Sequence, residues 1–290
     1  MQPYAPEITG HTRAGALIGS PVAHSISPQM YNESFKQRGI DRVYVCFDIG
    51  PDKLAHTVQA FRDLDFFGFN LTMPHKTAVI PYLDELSEEA RLIGAVNTVA
   101  NRNGRLIGYN TDGMGFFKSA KVLGYDPARK TVTLLGAGGA ASAIAAQAAL
   151  DGVETLHMFS RRGRSWDKAN ALIDRIRANT ACNALLHDFA DQADLKSCTA
   201  QSYMLINATS VGMAPHEEET PTPDTSLFFS DLIVADVIYN PAKTRFLQDA
   251  EKAGCRTFNG MYMLLYQGEA AFKIWTGCDM PVEIIREKYF

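Results

Sequence analysis

Thr131-Val132-Thr133-Leu134-Leu135 has the composition of a buried strand and passes without a spacer into Gly136-Ala137-Gly138-Gly139-Ala140-Ala141, then into an alanine-rich stretch ending at Leu150. Strand, glycine turn and helix in that order are the setting of a dinucleotide-binding turn: glycines let backbone approach a pyrophosphate, and the helix N-terminus attracts its charge. Ala141 stands where the third glycine of G-x-G-x-x-G is usual, a replacement the pattern tolerates. Taken alone, such a turn is equally compatible with an ordinary strand-to-helix connection. The next segment adds weight. Thr155 to Phe159 reads as a second strand, and Ser160-Arg161-Arg162-Gly163-Arg164 stands at its end. An acidic residue there would bind a ribose 2′-hydroxyl, whereas arginines accommodate a 2′-phosphate, so this loop favours NADP over NAD. The bland alternative is a solvated basic loop.

Around this unit, apolar strand-like runs alternate with helical periods, the mark of a parallel sheet flanked by helices. Upstream, Ala14 to Gly19, Val43 to Phe47 and Gly68 to Thr72 read as strands, with helices over Pro28 to Arg38, Asp52 to Leu64 and Lys76 to Leu83. Asn101-Arg102-Asn103-Gly104 predicts a hairpin between Ala95 and Gly108, because Asn-Gly favours tight turns. A helix from near Thr111 to Leu123 leads into the second unit. Downstream, Met204 to Ile206, Leu232 to Ile238 and Arg256 to Phe258 are further strands, and Lys243 to Ala253 and Met261 to Trp275 are helices. Asn207 to Met213 and Tyr239-Asn240-Pro241 then fall at carboxyl ends of strands, where open α/β sheets bind ligands.

At 290 residues the chain exceeds the usual size of one core, which favours two domains. A net charge of -4 offers nothing that would attract nucleic acid or an anionic membrane. The five cysteines are odd in number, widely spaced and free of Cys-x-x-Cys, against a disulfide framework or zinc ribbon and in favour of a reducing cytoplasm. No apolar run is long enough to span a bilayer. The start of the chain, with Pro3, Pro6 and Glu7, lacks the order of a signal peptide.

The polar segments carry the candidate chemistry. Ser25 and Ser27 are one residue apart after the first strand, so two hydroxyls can serve one carboxylate or neighbouring hydroxyls; alternatively, Ser27 before Pro28 caps a helix. Lys76 follows Asn70-Leu71-Thr72-Met73-Pro74-His75, a cation at a strand's carboxyl end, against the alternative of one more surface lysine. Asp112, after Asn110 and Thr111, is either a functional carboxylate or a helix cap. Asn97 interrupts an apolar stretch and requires a partner if buried. His24 and His75 have no neighbours at ligand spacing, so no metal centre is expected.

In combination these segments resemble the shikimate dehydrogenase family, including its quinate/shikimate dehydrogenase branch. Eight segments carry the resemblance in order: Gly19 to Pro28, Asn70 to Lys76, Gly94 to Thr98, Gly108 to Phe116, the glycine turn, Asn207 to Met213, Asp236 to Pro241 and Gly260 to Gln267. It implies an α/β fold of two domains with the active site in the cleft between them. Residues 1–112 would form a substrate-binding catalytic domain completed by C-terminal helices at about 260–290. Residues 113–259 would form a Rossmann-like NADP-binding domain. The implied reaction is the reversible, NADP-dependent reduction of 3-dehydroshikimate to shikimate, with a quinate/shikimate dehydrogenase using NAD or NADP as the nearer alternative and a non-catalytic dinucleotide sensor as the remote one.

Lys76 and Asp112 would be the catalytic pair, Asp112 orienting the ammonium and the reacting hydroxyl. Ser25 and Ser27 would hold the substrate carboxylate with Tyr239 nearby, while Asn70, Thr72, Asn97 and Gln267 would contact ring hydroxyls. Gly136, Ala137, Gly138, Gly139, Ala140, Ser160, Arg161, Arg162, Thr209, Val237 and Gly260 would bind the dinucleotide. Monomer and homodimer are both compatible with the sequence. Ser160 stands where the biosynthetic branch more often has asparagine, and Gly163 where an acidic residue occurs in the other branch. Tyr262 occupies a place often held by glycine, and Ser27 in place of threonine favours shikimate over quinate.

Overall fold

The computed structural model describes residues 8–163 and 165–290 and divides into two compact units, Met1–Thr111 with Gln267–Phe290, and Asp112–Tyr266. Arg164 and the N-terminal residues Pro3, Pro6 and Glu7 lie outside the described residues.

The first unit is built on β1 (Arg13–Gly19), α1 (Ser27–Arg38), β2 (Arg42–Asp48), α2 (Leu54–Asp63), β3 (Gly68–Leu71), α3 (His75–Ala78), β4 (Glu85–Leu86), α4 (Glu88–Ile93), β5 (Thr98–Arg102) and β6 (Arg105–Tyr109). Its sheet runs β2-β1-β3-β5-β6-β4. β1, β2 and β3 are parallel, while the hairpin expected between Ala95 and Gly108 is present as β5 and β6, with β5 antiparallel to both β3 and β6, so the sheet is mixed. The cause is local: Asn103 and Gly104 take φ values of 55° and 86°, and a two-residue turn with positive φ at both positions folds the chain straight back on itself. The helix expected from Lys76 to Leu83 differs. It stops after one turn and resumes as a 3-10 turn at Ile80–Tyr82, because Pro81 brings no N–H and its ring obstructs the preceding carbonyl. Ala16, Ile18, Phe69, Leu71, Val99 and Leu106 from the sheet and Leu54, Val58 and Phe61 from α2 make one core.

The second unit contains α5 (Asp112–Val122), β7 (Thr131–Leu135), α6 (Gly139–Leu150), β8 (Thr155–Ser160), α7 (Trp166–Asn179), β9 (Asn183–Asp188), α8 (Gln192–Ala200), β10 (Met204–Asn207), β11 (Ile233–Asp236), α9 (Arg245–Lys252), β12 (Arg256–Phe258) and the first residues of α10 (Met261–Thr276). All its strands are parallel, in the order β12-β11-β10-β7-β8-β9. This is the doubly wound arrangement, in which the strand order reverses between β7 and β10. α5 lies directly on α6: a Cβ on Gly113 would come within 2.4 Å of the Ala143 carbonyl oxygen, so only glycine permits the crossing.

The chain ends in the first unit with the rest of α10 and α11 (Val282–Tyr289). Trp275 packs among Tyr31, Tyr44 and Phe67, with its indole N–H donating to the Val99 carbonyl at 2.9 Å. No helix among the described residues is long and apolar enough to cross a membrane.

Candidate functional site

In the first unit the polar residues collect at the carboxyl ends of β1 and β3. The chain leaving β3 is pinned to the end of β1 by hydrogen bonds from Thr72 N to Ile18 O (3.0 Å) and from Ser20 N to Met73 O (2.9 Å). A Cβ on Gly19 would collide with the Thr72 side chain at 2.2 Å, which explains glycine there. Lys76 is the second residue of α3. Its carbonyl accepts from Val96 N at 2.7 Å, bringing the lysine's backbone beside the segment that carries Asn97. His75, fully buried, pairs its Nε2 with the Ile49 carbonyl at 2.9 Å, so this histidine secures the turn that presents Lys76.

Asn97 has the partners that its burial requires. Its Oδ1 accepts from Thr111 N (2.9 Å) and from the Thr98 hydroxyl (2.9 Å), while Nδ2 donates to Thr111 Oγ1 at 3.0 Å. Thr111 Oγ1 also lies 3.5 Å from Gln267 Oε1. Thr111 is thus a buried residue of this polar cluster, although in the sequence it reads only as part of a helix start beside Asp112. Asn70 is buried too. Its Oδ1 accepts from Tyr44 OH at 2.6 Å, and Nδ2 donates to Asn97 O and Thr98 Oγ1 at 3.1 and 2.9 Å. Both amide hydrogens are engaged, so one Oδ1 lone pair is what remains for a ligand.

Ser27 does not cap α1. The helix starts at Ser27 itself and no side chain caps it; Ser27 N donates instead to Ser25 Oγ at 3.2 Å. Its hydroxyl is therefore not spent as a cap. Ser25 also faces the Cys46 thiol, whose pKa burial raises and that hydrogen bond lowers.

In the second unit, a cavity of about 450 Å³ opens where the strand order reverses, lined by Gly136, Ala137 and Gly138, by Ser160 and Arg161, and by Thr209 among others. Gly136 has a φ of +112°, with the Ala208 carbonyl oxygen 2.8 Å from where a Cβ would be. A Cβ on Gly138 or Gly139 would meet nothing within 4 Å, and no side chain caps α6. Open space in front of uncapped helical N–H groups, including those of Gly139 and Ala140, suits a pyrophosphate. Residues and cavity therefore fit a dinucleotide. The two arginines part company here. Arg161 lines the cavity, whereas Arg162 Nε is ion-paired with Asp188 at 2.6 Å and its guanidinium stacks 4.5 Å over the Trp166 ring. Arg162 is turned towards Asp188 and Trp166 and, with its side chain largely exposed, is not among the residues that line the cavity.

The Thr209 loop is held by a network that the sequence does not display. Asn207 Oδ1 accepts from Thr209 N and Oγ1 at 3.1 and 2.7 Å, and its Nδ2 lies 3.1 Å from both oxygens of Asp236. Asp236 also accepts from Ile238 N (3.0 Å) and Thr244 Oγ1 (2.7 Å), and Thr244 caps α9. Burial pushes the Asp236 carboxyl up to about 6, against the pull of these hydrogen bonds. Val237 and Gly260 touch: a Cβ on Gly260 would sit 1.9 Å from the Val237 carbonyl oxygen. Tyr239 is exposed just beyond β11. Tyr262 lines a smaller cavity of about 290 Å³ with Phe258 and Asn259.

Residues 17–99 match the family model for the shikimate dehydrogenase substrate binding domain, and residues 260–288 that for the shikimate 5'-dehydrogenase C-terminal domain. The shikimate dehydrogenase (NADP(+)) of Listeria monocytogenes is 46% identical over 283 residues, 98% of this chain and 97% of the relative. The crystal structure of shikimate 5-dehydrogenase from Listeria monocytogenes in complex with shikimate and NAD shares 46% identity, a TM-score of 0.96 and 99% coverage of both chains. Quinate dehydrogenase from Corynebacterium glutamicum in complex with NAD shares 32% identity and a TM-score of 0.85 over 95% of this chain and 98% of that one. With fold, polar segments and near full-length likeness in agreement, the chain belongs to the shikimate dehydrogenase family.

Proposed function

We propose that this protein catalyses the reversible NADP-dependent interconversion of 3-dehydroshikimate and shikimate, a step that supplies chorismate and hence aromatic amino acids. The observation that carries the reading is the 46% identity to a shikimate dehydrogenase (NADP(+)) over 98% of the chain. NADP, when bound, supplies the hydride acceptor for the substrate's secondary alcohol, and its reduced form the donor for the ketone. The protein's task is to bind, orient and move one proton. Lys76 Nζ takes the hydroxyl proton during oxidation and returns it during reduction, and its cationic form stabilises the alkoxide oxygen. Asp112 is the companion carboxylate of this acid–base pair. Ser25 and Ser27 hold the substrate carboxylate, with Tyr239 assigned to the same group. Thr72, Asn97 and Gln267 read the ring hydroxyls, Asn70 contributes its remaining acceptor, and Thr111 fixes Asn97 in register.

The dinucleotide rests on Gly136 to Ala140, with Thr209, Val237 and Gly260 completing its site. Arg161 and Ser160 receive the 2′-phosphate. In this reading, residues 1–112 with the C-terminal helices take the substrate and residues 113–259 the dinucleotide. Free thiols at all five cysteines agree with a cytoplasmic protein, active as a monomer or homodimer. A broader quinate/shikimate activity with NAD is the second reading, favoured by the likeness to a quinate dehydrogenase bound to NAD.

Lys76→Ala tests the assignment. Removing a positioned acid–base group costs about 10²–10⁴-fold in kcat, while NADPH affinity measured by fluorescence titration stays unchanged. Full turnover in the variant would remove Lys76 from the chemistry.

A further inference from the structure

We infer that His157, His187 and Cys198 form a binding site for a divalent cation of the zinc class, with Asp194 orienting His187. The register of β8 and β9 pairs Phe159 with His187, so His157, two residues before Phe159, shares one sheet face with His187. On α8, Asp194 and Cys198 are four residues apart and share one helix face. These elements bring together one potential ligand atom each from His157, His187 and Cys198, all within 4.8 Å of one another. His157 Nδ1 and His187 Nε2 are 2.9 Å apart, His187 Nδ1 is 2.6 Å from Asp194 Oδ2, and Cys198 Sγ is 3.5 Å from Asp194 Oδ1.

Asp194 accepts from His187 Nδ1–H, which leaves the lone pair of Nε2 aimed at His157. The hydrogen between the two rings therefore belongs to His157 Nδ1, at the place a cation would take. A carboxylate behind a ligating imidazole is the usual outer partner of zinc-bound histidine. Two imidazoles and a thiol are a borderline-soft donor set, suited to zinc or cobalt and unsuited to calcium or magnesium, which take oxygen ligands. Tetrahedral Zn–N bonds of about 2.0–2.1 Å place two nitrogens about 3.3 Å apart, so the rings need separate only slightly. On binding, the Cys198 thiol proton leaves to solvent, while His157 shifts its ring proton to Nε2. Linear spacing conceals this cluster because its residues come from two strands and a helix. Phe159 stacks on His187 at 4.7 Å and also lines the dinucleotide cavity, so the cation would sit behind that cavity's wall.

The test is titration of untagged, metal-free full-length protein with cobalt(II) followed by zinc. Expected are one cobalt per chain, the absorption of a tetrahedral ion with a thiolate-to-cobalt charge-transfer band, and displacement of both by zinc. Cys198→Ser should abolish the charge-transfer band without changing shikimate turnover, and Asp194→Asn should weaken affinity about 10–100-fold while retaining it. His157→Gln, at a half-buried position, provides a second variant and should likewise weaken binding at least tenfold. Cobalt bound without a charge-transfer band, no cobalt bound, or affinity unchanged in His157→Gln and Cys198→Ser would overturn the proposal.

Discussion

Arg161 and Arg162 show how two adjacent, chemically identical side chains acquire different work. The ion pair with Asp188 and the stack on Trp166 turn Arg162 into the loop, leaving Arg161 as the guanidinium on the cavity wall among the described residues. Arg161→Ala should therefore raise the KM for NADP at least tenfold more than the KM for NAD, and Arg162→Ala should show less than half that discrimination on a logarithmic scale. Equal effects of Arg161→Ala on the two cofactors in steady-state assays would refute the assignment. At this scale Ser25, Ser27, Asn70 and Lys76 were legible as candidates because they stand in short polar segments at strand ends, and Asn97 because it is a polar residue inside an apolar stretch. Thr111 was not, because its role depends on the carbonyl and amide that Asn97 turns towards it, and no linear spacing encodes that. Nor was the loss of Arg162 to Asp188, a partner on a strand the sequence does not announce.

Among elements, the stretch of strand, glycine turn and helix was readable because each part has its own local signature and all three are contiguous. The hairpin was readable as well, from its Asn-Gly turn, but its antiparallel pairing with β3, the short α3 and the α7, β9 and α8 series were not. The mixed sheet comes from one Asn-Gly turn, and α7 has a narrow apolar stripe of Ala169, Leu172, Ile173 and Ile176. The Asp236 network belongs to this scale, since one carboxylate ties the end of β10 to the cap of α9. Its folded pKa, about 6, lies above the ordinary aspartate value of 3.8. Between those values the folded protein binds more protons than the unfolded chain, so stability attributable to Asp236 falls as pH rises through 4 to 6. Thermal or urea unfolding of wild type and Asp236→Asn should show the wild type losing about 2–3 kcal/mol relative to the variant across that window. A difference independent of pH would contradict the account.

At the scale of the whole molecule, the chain's last segment completes its first unit. Trp275 fills a pocket among Tyr31, Tyr44 and Phe67, a Cβ on Gly68 would lie 2.3 Å from its Nε1, and Lys288 pairs with Glu33 at 2.7 Å. Trp275→Ala should destabilise the protein by about 3–5 kcal/mol in urea unfolding, yet leave NADPH affinity below the transition unchanged because, among the described residues, the cavity assigned to the dinucleotide is lined by the second unit. A parallel loss of affinity would show that the units do not act as assigned. The central claim is the reaction itself, and absorbance at 340 nm tests it most directly, with shikimate and quinate each offered to purified protein with NADP and with NAD. The account predicts turnover with shikimate and NADP at a kcat/KM well above every other combination. Preference for quinate or for NAD, or no turnover at all, would contradict it.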